Sequence, residues 1–198
     1  WRFINPRMKE SYGVDSMGET AENLAEKYKI SREDQDEFAY RSQMKAKAAD
    51  DLGRFANETI AVELINHKKE ITLFEKDEFI KGQTTTEILA KLKPAFRKEG
   101  TVTAANASTI NDGAAALVLM SEEKAQSLGL TPLAYIKSYA DAAQEPKWFT
   151  TAPTKALPKA LDKAGISISD VDFFEFNEAF SVVGLANAQI LGLDNDKI

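Results

Sequence analysis

The sequence predicts an α/β protein in which helices cover strands that are buried on both faces. Apolar runs of strand length, bounded by turn signals, occur at 114–120 (AAALVLM) and 172–176 (DFFEF). Each run is followed by a helix-like segment, which is typical of layered α/β proteins. With 198 residues, 43% of them hydrophobic, the chain is long enough to bury a core.

The composition argues against several classes of function. The formal net charge of −6 makes a broad nucleic-acid surface a poor fit, and no apolar stretch is long enough for a membrane span. The chain has no cysteine and one histidine, so it offers no thiolate nucleophile, and we expect no metal site. It opens at Trp1 without methionine and stops at Ile198 without a polar tail, so we expect an internal piece of a longer protein.

The first hundred residues predict polar helices joined by loops. Thr20 is a candidate N-cap for one helix, followed by Leu24 and Tyr28 at helical spacing. Ser31 with an acid three residues later predicts a capping box. The helix that it opens should end near Gly53.

Two β-like runs follow, at 58–65 and 71–74, and the polar separator between them predicts a hairpin. His67 lies in that turn. Because no nearby partner would tune its ring, we expect it to be solvated rather than catalytic.

Beyond residue 100 the chain alternates strand and helix segments. Pro158 is expected in the first turns of one helix, and Gly165 closes it. The predicted segments are strands at 114–120, 133–140 and 172–176, helices at 121–129, 153–164 and 178–191, and an irregular loop at 140–151.

Two short stretches could carry chemistry. Asn177 and Glu178 stand where an apolar strand is expected to end and a helix to begin, which is where ligands bind in α/β sheets. The amide can orient a water or donate into an oxyanion hole, and Glu178 either serves the site or caps the helix. The small residues of 104–109 (AANAST) let a bulky ligand approach the backbone, unless they serve tight packing.

The pair Lys91 and Lys93 could bind phosphates or belong to a solvated loop.

Four motifs, in order and at matching spacing, resemble the thiolase family across the whole chain. They are 17–23 (MGETAEN), 91–96 (KLKPAF), 101–113 (TVTAANASTINDG) and 177–180 (NEAF). The resemblance implies a layered α/β/α/β/α fold with an inserted loop domain. It places a coenzyme-A-binding loop domain at 1–99, the last strand and helix of the N-terminal half at 100–130, and the first part of the C-terminal half at 131–198.

The same resemblance implies an acyltransferase that condenses acyl-CoA molecules or cleaves 3-ketoacyl-CoA. In that family one cysteine carries the acyl group, a second moves a proton, and a histidine in a Gly-His-Pro motif activates the nucleophile. None of these matches a position in this chain. We therefore expect the 198 residues alone to be inactive.

Several family roles do match positions here. Catalytic roles are implied for Asn177, whose bound water would help form the oxyanion hole, and for Glu178, which would orient the histidine region. Ser108 would contact the pantetheine arm of coenzyme A, with Ala104 on the same wall. The remaining implied substrate contacts are Lys93 near the adenine end, Met8 and Met17 near the tunnel, and Phe149 and Phe180 at the acyl pocket.

No resident cofactor is implied, since coenzyme A is a substrate. The stretch 104–107 resembles the potassium site of some members, but Phe79 stands where those members carry a tyrosine that helps hold the ion. Residues 1–3 and 12–17 resemble 3-oxoadipyl-CoA thiolases, whereas 101–113 and 140–146 resemble acetoacetyl-CoA thiolases, so both substrates stay open.

Two other functions stay open beside the enzyme. One is a non-catalytic module that binds acyl-CoA, and the other is a lipid-delivering protein of the sterol-carrier type of thiolase. For the enzyme we expect acyl-CoA and coenzyme A as partners, neither nucleic acid nor a membrane, a homotetramer or dimer, and a cytoplasmic location.

Overall fold

The computed structural model describes residues 3–198, which form α-helices, short 3-10 helices and one two-stranded sheet whose strands are exposed. The α-helices are α1 (Pro6–Tyr12), α2 (Met17–Tyr28), α3 (Arg32–Asp51), α4 (Thr86–Ala90), α5 (Glu122–Ser127), α6 (Pro153–Ala164) and α7 (Ser181–Leu191). The strands are β1 (Val62–Ile65) and β2 (Ile71–Phe74), and 3-10 helices span Pro146–Thr151, Ile168–Asp170 and Asn195–Lys197.

Local capping sets the starts of the two longest amino-terminal helices. The Ser31 side chain accepts from the Asp34 amide and the Asp34 carboxylate accepts from the Ser31 amide, so the predicted capping box is confirmed. A second box joins Ser16 and Glu19 at the start of α2. The prediction that Thr20 caps this helix is therefore wrong, because Thr20 lies inside α2 and its hydroxyl donates to the Met17 carbonyl at 2.7 Å.

The predicted hairpin is confirmed as an antiparallel pair. Val62 lies opposite Phe74 and Ile65 opposite Ile71. The Asn66 side chain accepts from two main-chain amides of the turn, which fixes its shape. His67 lies in this turn and is exposed, as expected.

The hydrophobic core lies between α2 and α7, which pack against each other. Leu24 of α2 and Val182 of α7 are fully buried, and Val102 from the segment after residue 100 completes the contact. Phe180, just before α7, packs edge-to-face on Phe96 with ring centroids 6.1 Å apart. This core brings the residues around 102 next to the start of α7.

The buried carboxylate of Glu22 binds the main chain at residues 101–102. Glu22 of α2 is only 3% exposed and accepts from the main-chain amides of Thr101 and Val102 at 2.9 Å. The Thr101 hydroxyl donates to it as well, at 3.0 Å. A Cβ on Gly100 would lie 2.1 Å from a Glu22 oxygen, so this approach requires glycine.

A second buried carboxylate, Asp36 of α3, holds the same segment. Its oxygens accept from Arg32 Nε at 2.7 Å and from Asn106 Nδ2 at 3.0 Å. The Asn106 oxygen accepts from the Thr103 amide at 2.8 Å, and Gln35 donates to the Thr101 hydroxyl at 2.9 Å. Two helices therefore fix residues 101–106 through hydrogen bonds to charged or buried groups.

The three strands predicted beyond residue 100 are not formed. Within residues 3–198 the only ladder is β1–β2, and a strand without a neighbour leaves its main-chain groups unpaired. Residues 114–120, 133–140 and 172–176 instead carry exposed apolar side chains. Leu117 and Val118 are each 85% exposed and Phe173 is 82% exposed, so the predicted burial on both faces is wrong here.

The helices of this half follow the sequence more closely. α5 ends just before Gly129, and α6 is closed by Gly165 in the left-handed conformation, with Pro158 inside it. The predicted irregular loop contains the 3-10 helix Pro146–Thr151. The helix expected from residue 178 begins at Ser181, so Glu178 does not lie in a first helical turn. The described helices are too short or too polar to cross a membrane.

Replacing Glu22 by Gln should destabilise the protein by about 2–4 kcal/mol. The side-chain volume is kept, but a neutral amide offers one oxygen to the two main-chain amides and the Thr101 hydroxyl, and it directs N–H groups at the remaining donors. Urea unfolding of the full-length protein that carries this sequence measures the change. Glu26→Gln, one turn along on a side chain that is 82% exposed, should change the free energy by less than about 0.5 kcal/mol. Equal effects of the two variants would contradict the role given to Glu22.

The isolated 198-residue chain should bind a hydrophobic dye and self-associate. The exposed apolar side chains at 114–120 and 172–176 form surface of the kind that drives aggregation. Dye fluorescence and light scattering measure this directly. A monodisperse chain that melts cooperatively and leaves the dye dark would contradict the exposure described above.

Candidate functional site

Two segments far apart in the sequence run side by side. They are the 101–109 segment and the 176–181 segment, joined where the Ser108 amide donates to the Ala179 carbonyl and the Ser181 amide donates to the Asn106 carbonyl, both at 2.9 Å. Ala107 and Phe180 form an isolated antiparallel bridge between them. The two stretches that the sequence singled out for chemistry are thereby fixed against each other.

A cavity of about 460 Å³, the Ser108 cavity, opens along this junction. Four of the predicted site residues line it, namely Ala104, Ser108, Asn177 and Glu178. The other lining residues come from α3, α4, α7, the loop at 79–84 and the 101–109 segment: Ala39, Ser42, Gln43, Phe79, Lys81, Thr84, Leu89, Ala105, Asn106, Ala107, Thr109 and Ser181.

Helix α3 supplies two polar contacts at this cavity. The Ser42 hydroxyl donates to Glu178 Oε2 at 2.6 Å. The neighbouring Gln43 side chain accepts from the Lys81 amide at 2.7 Å, which holds the loop with Phe79 at the rim. One helix therefore orients both a carboxylate and a loop that line the same space.

The remaining predicted contacts do not line the Ser108 cavity. Phe180 is buried in the core against Phe96. Met8 on α1 and Met17 at the start of α2 are both exposed. Lys93, beyond α4, is exposed, and so is Phe149 in the 3-10 helix. Their roles toward coenzyme A stay predictions.

The Ser108 cavity presents hydrogen-bond donors and acceptors. Residues 3–198 hold no cluster of three or more His, Asp or Glu side chains placed to bind a metal ion. Phe79 brings a hydrocarbon ring and no side-chain oxygen to the position considered for potassium, so this side chain does not fit as a ligand. Asn177 and Ser108 can donate to a carbonyl or amide, and the small alanines leave room for a long ligand.

Two carboxyls away from this junction have lowered pKa values. The pKa of Glu87 lies below its usual value because the Thr85 side chain and its own main-chain amide donate to it. The pKa of Glu123 is lowered by its own amide and then by Ser121. Both lie at helix N-termini, where donated amides favour the charged form.

Sequence reasoning missed the residues that support the site. Glu22 and Asp36 look like solvated helix charges, and only their burial shows otherwise. Ser42 lies in a polar run with no local signal, since its partner is 136 positions away. Glu22 was the one supporting residue with a sequence signal, because it lies in the stretch 17–23 that resembles a thiolase motif.

Comparisons with known proteins match both parts of the chain. Residues 3–123 match the family model of the thiolase N-terminal domain, and residues 130–198 match that of the thiolase C-terminal domain. The β-ketoadipyl-CoA thiolase of Pseudomonas putida is 50% identical over 196 residues, which is 99% of this chain and 49% of that protein. The acetyl-CoA acetyltransferase of Pseudomonas aeruginosa is 52% identical, again over 99% of this chain and 50% of that protein.

Solved structures agree with these sequence matches. The acetyl-CoA acetyltransferase of Bacillus anthracis superposes with a TM-score of 0.86 at 48% identity, covering 91% of this chain and 46% of that one. Human mitochondrial 3-ketoacyl-CoA thiolase superposes with a TM-score of 0.83 at 44% identity, and the match covers 90% of this chain and 44% of that one. The predicted fold class is confirmed, and the chain spans about half the length of the curated relatives that it matches.

Replacing Asn106 by Ala should loosen the junction of the two segments. The change leaves the buried Thr103 amide and one Asp36 oxygen without their partner, and Asn106 also carries the carbonyl that binds the Ser181 amide. Hydrogen exchange of the Thr103 and Ser181 amides should be at least about tenfold faster, as expected for a lost hydrogen bond. The exposed Asn111→Ala is the control and should leave both rates unchanged. Unchanged exchange in the Asn106 variant would contradict this account.

Proposed function

Because this chain belongs to the thiolase family, we propose that it supplies one wall of the acyl-CoA site of an acyltransferase. The reaction is the condensation of two acyl-CoA molecules or the thiolytic cleavage of a 3-ketoacyl-CoA. One observation carries the proposal, namely that Ala104, Ser108, Asn177 and Glu178 line a single cavity.

In this proposal each of the four residues has a distinct task. Asn177 orients a water, or donates directly, toward the thioester oxygen as negative charge develops on it. Ser108 hydrogen-bonds the pantetheine arm, and Ala104 leaves space for it. Glu178 orients the catalytic histidine region. The two main-chain hydrogen bonds between the segments hold the donors at a fixed separation.

The acyl-transfer step itself needs groups that these residues do not include. A thiolate attacks the thioester carbon and coenzyme A leaves as its thiol, and this chain has no cysteine. Its one histidine, His67, is exposed in the hairpin turn and does not line the cavity. We therefore assign the reaction to the full-length protein and expect the 198 residues alone to be inactive.

Two substrates follow from the names of the relatives. One relative is called a β-ketoadipyl-CoA thiolase and another an acetyl-CoA acetyltransferase, so we propose 3-oxoadipyl-CoA and acetoacetyl-CoA as the candidates. A second function, acyl-CoA binding without turnover, would use the same cavity, and lipid delivery would be a variant of it. We further propose a homotetramer or dimer in the cytoplasm, with coenzyme A as substrate and no resident cofactor.

Steady-state kinetics of the full-length protein test the enzymatic proposal. With acetoacetyl-CoA and 3-oxoadipyl-CoA assayed side by side, Asn177→Ala should lower kcat about 100-fold, because an oxyanion donor acts mainly in the transition state. KM should change by less than about threefold. The loss of kcat at unchanged KM is the signature to be measured.

The exposed turn residue Asn57 provides the control, and Asn57→Ala should leave kcat and KM unchanged. Tight coenzyme A binding by a wild-type protein that turns over neither substrate would support the non-catalytic function instead. Full activity of the Asn177 variant would remove that residue from the oxyanion hole.

A further inference from the structure

Glu178 lies at the boundary between two cavities. One is the Ser108 cavity. The other, the Arg41 cavity of about 420 Å³, lies between α3, α7 and residues 192–198. Ser42 and Glu178 are the two residues that line both cavities. A carboxylate in this position can contact groups in either cavity, so its side-chain orientation decides which cavity it faces.

Two cations that line the Arg41 cavity bind other partners. Arg41 pairs with Asp196 at 2.8 Å, and Lys45 donates to the main-chain oxygen of Ile198. Within residues 3–198 Glu178 forms no ion pair. The contact that the structure gives to its carboxylate is the 2.6 Å hydrogen bond from the Ser42 hydroxyl. Such a bond to an ionised oxygen is stronger than one between neutral groups.

Both ends of this hydrogen bond are fixed by neighbouring contacts. The main chain beside Glu178 is held where the Ala179 carbonyl accepts from Ser108. Ser42 lies on α3, whose earlier turns are bound through Asp36 and Gln35 to the 101–109 segment. A long carboxylate side chain that would otherwise sample several rotamers is thus held by a donor of defined position.

We propose that Ser42 is a positioning residue that holds the Glu178 carboxylate between the two cavities. The inference rests on the proposed function, in which Glu178 orients the catalytic histidine. Ser42 itself need not touch substrate. The Glu178 side chain is exposed, so without the Ser42 hydroxyl its carboxylate samples other rotamers. A displacement of about 1 Å in a supporting group can cost up to about 100-fold in rate.

The first test is kinetic and uses the full-length protein. Ser42→Ala should lower kcat about tenfold or more, with KM within about twofold and an unchanged melting temperature. Ser42→Thr, which restores a hydroxyl, should recover most of the rate. Ser127→Ala is the matched control, since Ser127 also lies on a helix but donates only to its own helix at Lys124.

A double-mutant cycle separates positioning from a general structural effect. If Ser42 acts through Glu178, the Ser42→Ala, Glu178→Ala double variant should be no slower than Glu178→Ala alone. Additive losses would overturn the inference, and so would full activity of Ser42→Ala. A parallel fall in kcat and melting temperature that threonine does not rescue would also overturn it.

Crystal structures of the wild type, Ser42→Ala and Ser127→Ala keep the two proposals distinguishable. A wild type without turnover would overturn the proposed function, and the position of the Glu178 carboxylate would still test Ser42. A carboxylate displaced by more than about 1 Å in Ser42→Ala, and unmoved in Ser127→Ala, supports positioning by Ser42. A carboxylate unmoved in both variants overturns it.

Discussion

The hydrogen bonds from residues 101–106 to two buried carboxylates are the constraint on which the site depends. Glu22 and Asp36 carry negative charge into a region with little solvent, which is costly unless every oxygen finds a donor. The main-chain amides of Thr101 and Val102 and the Asn106 amide group provide those donors. The requirement acts in both directions, because the Val102 amide and the Asn106 amide group are buried too. Neither the helices nor the segment can shift alone without leaving a charge or an amide unpaired.

Helix α3 extends this constraint to the rest of the cavity. This one rigid helix reaches the 101–109 segment through Asp36. About two turns further on, it reaches the 176–181 segment through Ser42 and the loop at 79–84 through Gln43. Because helix rise and rotation are fixed, the three segments keep a fixed spacing. Packed helices therefore set the shape of this cavity, although the candidate side chains of Ala104, Ser108, Asn177 and Glu178 lie outside the helices and strands.

Local chemistry explains which parts of the fold were predictable. The Ser31 capping box, the 58–74 hairpin and the α6 helix closed by Gly165 follow from neighbouring residues, and all three are present. The runs at 114–120 and 172–176 failed as strands because a strand requires partners from elsewhere in the chain. Glu178 was placed one turn too far into a helix, since α7 begins at Ser181 and Phe180, with no capping side chain, precedes it.

The sequence alone determined the family, the helix caps, and the candidates Ala104, Ser108, Asn177 and Glu178, because motif order and capping patterns are written in adjacent residues. Only the tertiary structure showed that these four line one cavity, that Phe180 belongs to the core, and that Glu22, Asp36 and Ser42 form hydrogen bonds to the segments that carry the candidate residues. The physical reason is distance along the chain. Neither the burial of a charge nor a hydrogen bond between residues 136 positions apart can be predicted from the residues that are adjacent in sequence to either partner.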